Sequence, residues 1–232
     1  MSEDVKRLID KAHSFNDALQ KSLENGEITE EEWYAINNQH FSEHYLAGDN
    51  PRAQSGHGGD ELNYFHSHII LVNVIHKNGS FIDVGCANGH LLESLERWIN
   101  GLDYYKLTFY GLDISQGLID LAKKRLPQWS HCFFVGNAFF WVPEHKYDYV
   151  CVKELGYVPP NRQRQFFEHL IKHYVSFNGR LILGPFSEES KSSNTIDLIS
   201  GWGYKPTGYI IKSNHKHKDI SRKVLWWDIE SE

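Results

Sequence analysis

The chain has 232 residues, 41% of them hydrophobic and 23% charged, with a net charge of −6. That suffices for one α/β domain with a full core plus an N-terminal extension. No apolar run approaches the ~20 residues of a membrane span, and the acidic start Met1-Ser2-Glu3-Asp4 lacks the apolar segment of a secretory signal, so a cytoplasmic location is expected.

Apolar residues at Val5, Leu8, Ile9, Ala12, Phe15, Leu19 and Leu23 recur at helical spacing and predict a helix over 4–24. Thr29 with Glu32 forms a capping box, so a second helix carrying Trp33, Ile36 and Phe41 starts there. Gly48-Asp49-Asn50-Pro51 breaks the chain, and the glycine-rich stretch 54–59 reads as a flexible loop. A third helix is expected from Asp60 to a stop at Asn78-Gly79. Residues 1–60 are therefore expected to form a helical lid or extension, and residues 61–232 the main domain.

From there the pattern alternates. Strand runs at 81–84, 108–112, 132–135, 147–152 and 180–184 are separated by helical stretches at 89–99, 116–126 and 162–177. Repeated βα units imply a parallel sheet with helices on both faces. Two closing strand runs, 208–213 and 221–229, read as an antiparallel hairpin. The expected fold is α/β, doubly wound, with a mostly parallel seven-stranded sheet, a C-terminal antiparallel hairpin and a helical N-terminal extension.

The most informative segment is Phe81-Ile82-Asp83-Val84-Gly85-Cys86-Ala87-Asn88-Gly89-His90-Leu91. An apolar strand runs into a loop of small residues and a helix follows, so backbone can approach a ligand closely. In open α/β sheets ligands bind beyond the carboxyl ends of the strands. A dinucleotide fingerprint would read G-x-G-x-x-G. Here Gly85-x-Ala87-x-Gly89 brings the last small residue one position early. Asp83 is also out of place beside a pyrophosphate but suits a cationic amino group. Further along, Asp113 ends the second strand run, where an acid can accept hydrogen bonds from two ribose hydroxyls; it also reads as an acid at a helix N-terminus capped by Ser115. Asn137 follows the third run, and its carbonyl can accept an N–H; it also reads as a turn Asn. An acid, Asp148, opens the fourth run.

Asp-Val-Gly-Cys-Ala-Asn-Gly resembles the first motif of the class I S-adenosylmethionine (SAM)-dependent methyltransferases, D/E-x-G-x-G/A-x-G. Asp113, Asn137-Ala138, the Tyr147-Asp148-Tyr149-Val150 strand and the Gly179-Arg180-Leu181 strand match the later motifs in order. The resemblance covers about 78–229 and leaves 1–77 without a motif. It implies SAM as cofactor, held by Asp83, Gly85, Cys86, Ala87 and Gly89 along the methionine portion, Asp113 at the ribose, and Ile114, Asn137, Ala138 and Phe139 around the adenine, with Phe140 a second candidate for stacking. The acceptor should sit above the fourth and fifth strands. Glu154 is the candidate base or clamp on an amine, or else a surface partner of Lys153 or Arg162; Tyr157 hydrogen-bonds the acceptor or caps the pocket.

No catalytic metal is expected. His40 and His44 have one-face spacing but no third ligand, His66 and His68 point different ways, and His215 and His217 sit in the hairpin turn. Cys86, Cys132 and Cys151 form no CxxC pair and read as reduced buried thiols. The short basic runs at Lys123-Lys124-Arg125, Arg162/Arg164 and Lys216/Lys218 read as solvated faces, so a nucleic-acid partner is not expected. The expected activity is methyl transfer to an O or N atom of a small molecule. RNA or protein methylation, or a SAM-binding module without turnover, are the alternatives.

Overall fold

The computed structural model describes residues 3–102, 104–214 and 219–230, with side chains from Ser14 onward. The apolar positions Val5, Leu8, Ile9 and Ala12, and the turn residues His215, Lys216, His217 and Lys218, lie outside those described. Seven strands form one sheet in the order β3-β2-β1-β4-β5-β7-β6. They are β1 (Gly79–Val84), β2 (Leu107–Asp113), β3 (Phe133–Val135), β4 (Tyr147–Val152), β5 (Val175–Glu189), β6 (Gly208–Ser213) and β7 (Ile220–Ile229). The first five pair in parallel, and β7 runs antiparallel between β5 and β6. The α/β fold read from the sequence, with its parallel sheet and closing hairpin, is the fold observed.

Alternation along the strands sends side chains to two cores. Ile82, Val84, Val150 and Val152 face a cluster with Phe166, Phe167 and Leu170 of α6 (Gln163–His169) and the turn after it. Phe81, Phe109, Tyr149 and Cys151 face a second cluster with Leu92 and Leu95 of α4 (His90–Trp98) and Ile119 and Ala122 of α5 (Gln116–Arg125). Each fully buried Leu, Ile or Phe contributes about 1.5–3 kcal/mol. At the opposite end of the sheet from the glycine loop, Asp148 pairs with Lys77 at 2.9 Å and accepts from the Ser80 N–H at 2.9 Å. The acid that opens the fourth strand thus ties β4 to β1.

The N-terminal helices α1 (Glu3–Glu24) and α2 (Glu30–Leu46) join the first core through Leu19, Trp33 and Tyr34. Both halves of the predicted capping box are made. The His40 ring stacks on Phe15 with centroids 3.8 Å apart.

Three elements differ from the expected boundaries. The third helix, α3 (Glu61–His68), tightens into a 3-10 turn at Ile69–Val74, where Ile70, Leu71 and Val74 pack into the second core. The helix expected to reach residue 177 leaves α-geometry at Leu170, and Val175 begins β5. Asn178-Gly179 lies in a bulge of that strand, with Asn178 at φ +56. Helix α7 (Asn194–Gly201) was not anticipated; its polar start is fixed by Thr195, whose N–H and hydroxyl both donate to Glu188.

Candidate functional site

The loop after β1 is shaped by backbone. Gly85, Ala87 and Gly89 all have positive φ, at +82, +47 and +75. The Gly85 and Cys86 N–H groups donate to the Leu112 carbonyl at 2.8 and 3.0 Å, which folds the loop back over β2. Ala87, a residue with a Cβ in the left-handed region, is held there because its N–H donates to the Asp113 carboxylate at 2.8 Å. The other Asp113 oxygen accepts from Ser115 N–H at 2.9 Å, and the Ser115 hydroxyl caps α5. Asp113 therefore organises the helix start, as one reading of the sequence expects, and it also lines the cavity described next. Asn88 fixes the loop from the other side, donating to the Pro51 carbonyl at 2.8 Å, while Arg125 donates to the Asn88 carbonyl and pairs with Glu93.

Beyond the carboxyl ends of β1, β2, β4 and β5 lies a cavity of about 510 Å³. All the candidate site residues named from the sequence line it except Gly89 and Phe140. Gly89 is set back as the N-cap of α4; a Cβ there would lie 2.8 Å from Leu126 and 3.0 Å from Phe133. Gly85 is covered by the Tyr157 ring, 2.6 Å from where a Cβ would stand. Asn137 accepts from the Phe139 N–H at 3.0 Å, the turn expected of it, and still borders the cavity. The Arg162 guanidinium lies 5.2 Å over the Phe139 ring. Phe140, the other stacking candidate, is exposed and borders a separate surface groove.

Electrostatics divide the cavity. Asp83 is 6% exposed, and no hydrogen bond to its carboxylate is found among the described residues. Burial pushes its carboxyl up to about 7, the nearby Asp113 adds to this and Lys153 opposes it. Asp113 is raised by burial and held back by the N–H groups of Ser115, Ala87 and Ile114. Glu154 and Lys153, both exposed, follow β4 into the cavity without pairing; Arg162 pairs with Glu30 at 3.1 Å rather than with Glu154. Burial raises the Tyr157 phenol well above its ordinary value.

Trp33, Tyr34, Asn37 and Tyr45 make α2 one wall, and Ser55 to Gly59 add a second. Both lie in the segment expected as a lid, but no residue of α2 was singled out from the sequence for the site. His68 reaches the cavity from the end of α3 and Arg222 from β7. Their segments carry no motif, and only the fold brings them together. Of the basic runs, Arg125 pairs with Glu93, Arg162 with Glu30 and Arg164 with Glu168. Cys86, Cys132 and Cys151 are free and buried. Among the described residues, no group of three metal-ligating side chains is found, and no helix is long and apolar enough to cross a membrane.

Residues 81–175 match the family described as "Methyltransferase domain". Solved structures share the fold. A magnesium protoporphyrin IX methyltransferase from Synechocystis, crystallised with SAM, aligns at 18% identity and TM-score 0.59 over 84% of this chain and 96% of its own. A 1,6-didemethyltoxoflavin-N1-methyltransferase from Burkholderia thailandensis, with its substrate and S-adenosylhomocysteine bound, aligns at 13% identity and TM-score 0.64 over 88% and 92%. A Pyrococcus horikoshii protein aligns at 16% identity and TM-score 0.56 over 74% and 92%. A search of curated protein sequences gave no match.

Proposed function

We propose that this chain is a class I SAM-dependent methyltransferase, a reading supported by the domain match over 81–175 and by the shared fold, and that it methylates an O or N atom of a small molecule bound in the 510 Å³ cavity. That volume lies within the ~300–1,000 Å³ range of small-molecule pockets. The observation that carries the reading is Asp83: a buried carboxylate facing the cavity without a protein hydrogen bond beside a loop of small, left-handed residues. An unpaired buried carboxylate is costly unless a cation meets it, and the amino group of SAM is such a cation. The residues present therefore fit the cofactor.

SAM supplies an electrophilic methyl on a sulfonium, and S-adenosylhomocysteine leaves as a neutral thioether. The chain's own residues do the rest. Asp83 holds the ammonium, and the glycine loop gives room for the methionine portion. Asp113, already fixed by two backbone N–H groups, presents its remaining lone pairs to the ribose hydroxyls. Ile114, Ala138 and Phe139 enclose the adenine edge, with Asn137 accepting from its amino group. On the acceptor side, Glu154 takes the proton that the acceptor loses, and Tyr157 orients the acceptor over Gly85. Helix α2 and the 54–59 loop exclude water, and positioning of acceptor against methyl contributes much of the acceleration.

The test is calorimetry followed by turnover. S-adenosylhomocysteine and SAM should bind and NAD should not; radiolabelled SAM with fractionated metabolite extracts should then label a small-molecule fraction. NAD binding tighter than SAM would remove the donor assignment. Label in RNA or protein alone would replace the small-molecule reading, and SAM binding without transfer to any fraction would favour a module without turnover.

A further inference from the structure

Two cations, Lys153 and Arg222, line the cavity without an ion pair among the described residues. Lys153 follows β4, and Arg222 lies on β7, with β5 between those strands in the sheet. Gly184 and Pro185 of β5, also lining the cavity, close the gap between them. Arg222 is half-buried, its Nε makes no hydrogen bond, and burial alone lowers its affinity for its proton. Neither side chain forms an ion pair among the described residues, although Glu154 borders the same space. Elsewhere in this chain arginines near the core are neutralised: Arg180 makes a two-pronged pair with Asp228, and Arg125 pairs with Glu93. The neighbouring residue, Lys223, is fully buried and pairs with Glu188. An unpaired, half-buried guanidinium is costly, so its persistence in a cavity points to a ligand.

A second observation concerns the groups beside it. His57 and His68 stand with ring centroids 5.5 Å apart, and His68 is tied by Nδ1 to the Tyr64 carbonyl at 2.9 Å. Burial first, then the charges of Arg222 and Lys153, pushes His57 down to about 4, and burial, only partly offset by the hydrogen bond to the Tyr64 carbonyl, pushes His68 down to about 3. These groups thus offer the cavity two fixed positive charges and two neutral hydrogen-bonding rings. The other walls are aromatic, with Trp33, Phe41, Tyr45 and Phe166 among them.

We infer that the methyl acceptor is a small aromatic or similarly planar molecule carrying an anionic oxygen group, a carboxylate or a phosphate, which Arg222 grips with its planar fork and Lys153 supports. A guanidinium fork matches either group through two parallel N–H···O bonds. The ring of the acceptor lies against the aromatic wall, and its nucleophilic atom is directed toward the Glu154 and Tyr157 side. This rests on the methyltransferase reading, because it takes the cavity to hold donor and acceptor together.

The test uses the full chain saturated with S-adenosylhomocysteine, so donor binding is established first and separately. Matched probes are 4-hydroxybenzoate with 4-hydroxybenzamide, and phenyl phosphate with phenol, read by calorimetry. Loss of a charge-assisted hydrogen bond weakens binding about ten- to a hundredfold, so each anion should bind at least tenfold tighter than its neutral partner. Arg222→Gln should erase that ratio while leaving S-adenosylhomocysteine affinity unchanged, and Arg222→Lys should restore part of it. Lys153→Gln, at an exposed position, should reduce the ratio without a folding penalty. A preference confined to phenyl phosphate would assign the group as phosphate, and one confined to 4-hydroxybenzoate as carboxylate. Neutral probes binding as tightly as the anions, no anion binding at all, or a ratio that survives Arg222→Gln would overturn the inference. Failure of S-adenosylhomocysteine to bind would instead strike at the donor assignment.

Discussion

Replacing Asp113 by Ala should strike both stability and donor affinity, and the structure sets the sizes. The carboxylate accepts from the Ala87 N–H at 2.8 Å and the Ser115 N–H at 2.9 Å, and Asp113, Ala87 and Ser115 are each at most 9% exposed. Its removal leaves two buried donors unsatisfied at roughly 1–3 kcal/mol each, or about 2–6 kcal/mol together. For a chain of this size one kcal/mol moves the melting temperature by about 2–4 °C, so a fall of roughly 5–20 °C is expected in a thermal melt. Ala87 would also lose what holds its positive φ, which loosens the loop that faces the methionine portion. Calorimetry well below the variant's melting point should find S-adenosylhomocysteine about ten- to a hundredfold weaker from the lost charged acceptor. Asp113→Asn keeps one acceptor oxygen and should fall between. A variant that melts like the wild type would refute the assignment of those two N–H groups. One that melts low but binds the product with unchanged affinity would remove the ribose role and leave only the helix start.

Gly85→Val places a branched side chain against the Tyr157 ring at a φ of +82; calorimetry should show donor binding lost, and Tyr157→Ala in the same chain should recover part of the lost melting temperature. Asp83 carries a pH dependence of definite sign. Its folded-state value is raised to about 7 from 3.8, so in the ligand-free protein its contribution to stability is full below 3.8 and is lost as pH rises through 7. Donor affinity runs the opposite way, strengthening as the carboxylate ionises, and Asp83→Asn should flatten both curves in melts and calorimetry across pH 5–8 (an experimental window spanning roughly the unit or so on either side of that value). Trp33→Ala, at a site 5% exposed and in edge contact with Tyr34 at 5.2 Å, should cost about 3–5 kcal/mol; a melting temperature near wild type would mean that α2 rests on the core without being part of it. Hydrogen exchange at 54–59 should slow when S-adenosylhomocysteine is added, and unchanged exchange would count against a closing loop.

The donor half of the site was legible because it is contiguous. Strand, turn and helix start sit within 81–91, and each later residue, Asp113 and Asn137, ends a strand whose apolar pattern is plain. Chain order then does the work of geometry: in a parallel sheet every such end falls on the same edge. What the sequence could not show was how these side chains are already engaged. Asp113 and Asn137 both accept backbone N–H groups, and Gly89 serves the corner rather than the cavity. The boundary errors share one cause. At 69–75 and 170–175 the buried residues Ile70, Leu71, Val74, Ile75, Leu170, Tyr174 and Val175 do not repeat at one spacing, so periodicity no longer separates helix from strand, and tertiary packing decides.

The acceptor half was illegible for the converse reason. His57 comes from a loop, His68 from a helix end, Lys153 from beyond β4 and Arg222 from β7, and no local pattern relates them. Alternation in β7 shows that Arg222 and Lys223 face opposite sides of the sheet, but not which one meets an acid. The structure gives Lys223 to Glu188 and leaves Arg222 in the cavity. That division gives the cavity a polarity. Asp83 and Asp113 gather negative charge where we propose that the donor binds, and Arg222 brings positive charge from β7, with Lys153 close enough to Asp83 to oppose its shift. An acceptor with its anion at Arg222 is repelled from the donor's carboxylates and drawn to one orientation, with its neutral nucleophile pointing back toward Glu154 and Tyr157. Orientation set by charge accounts for Arg222 standing without an ion pair among the described residues, while Arg125, Arg180 and Lys223 are matched.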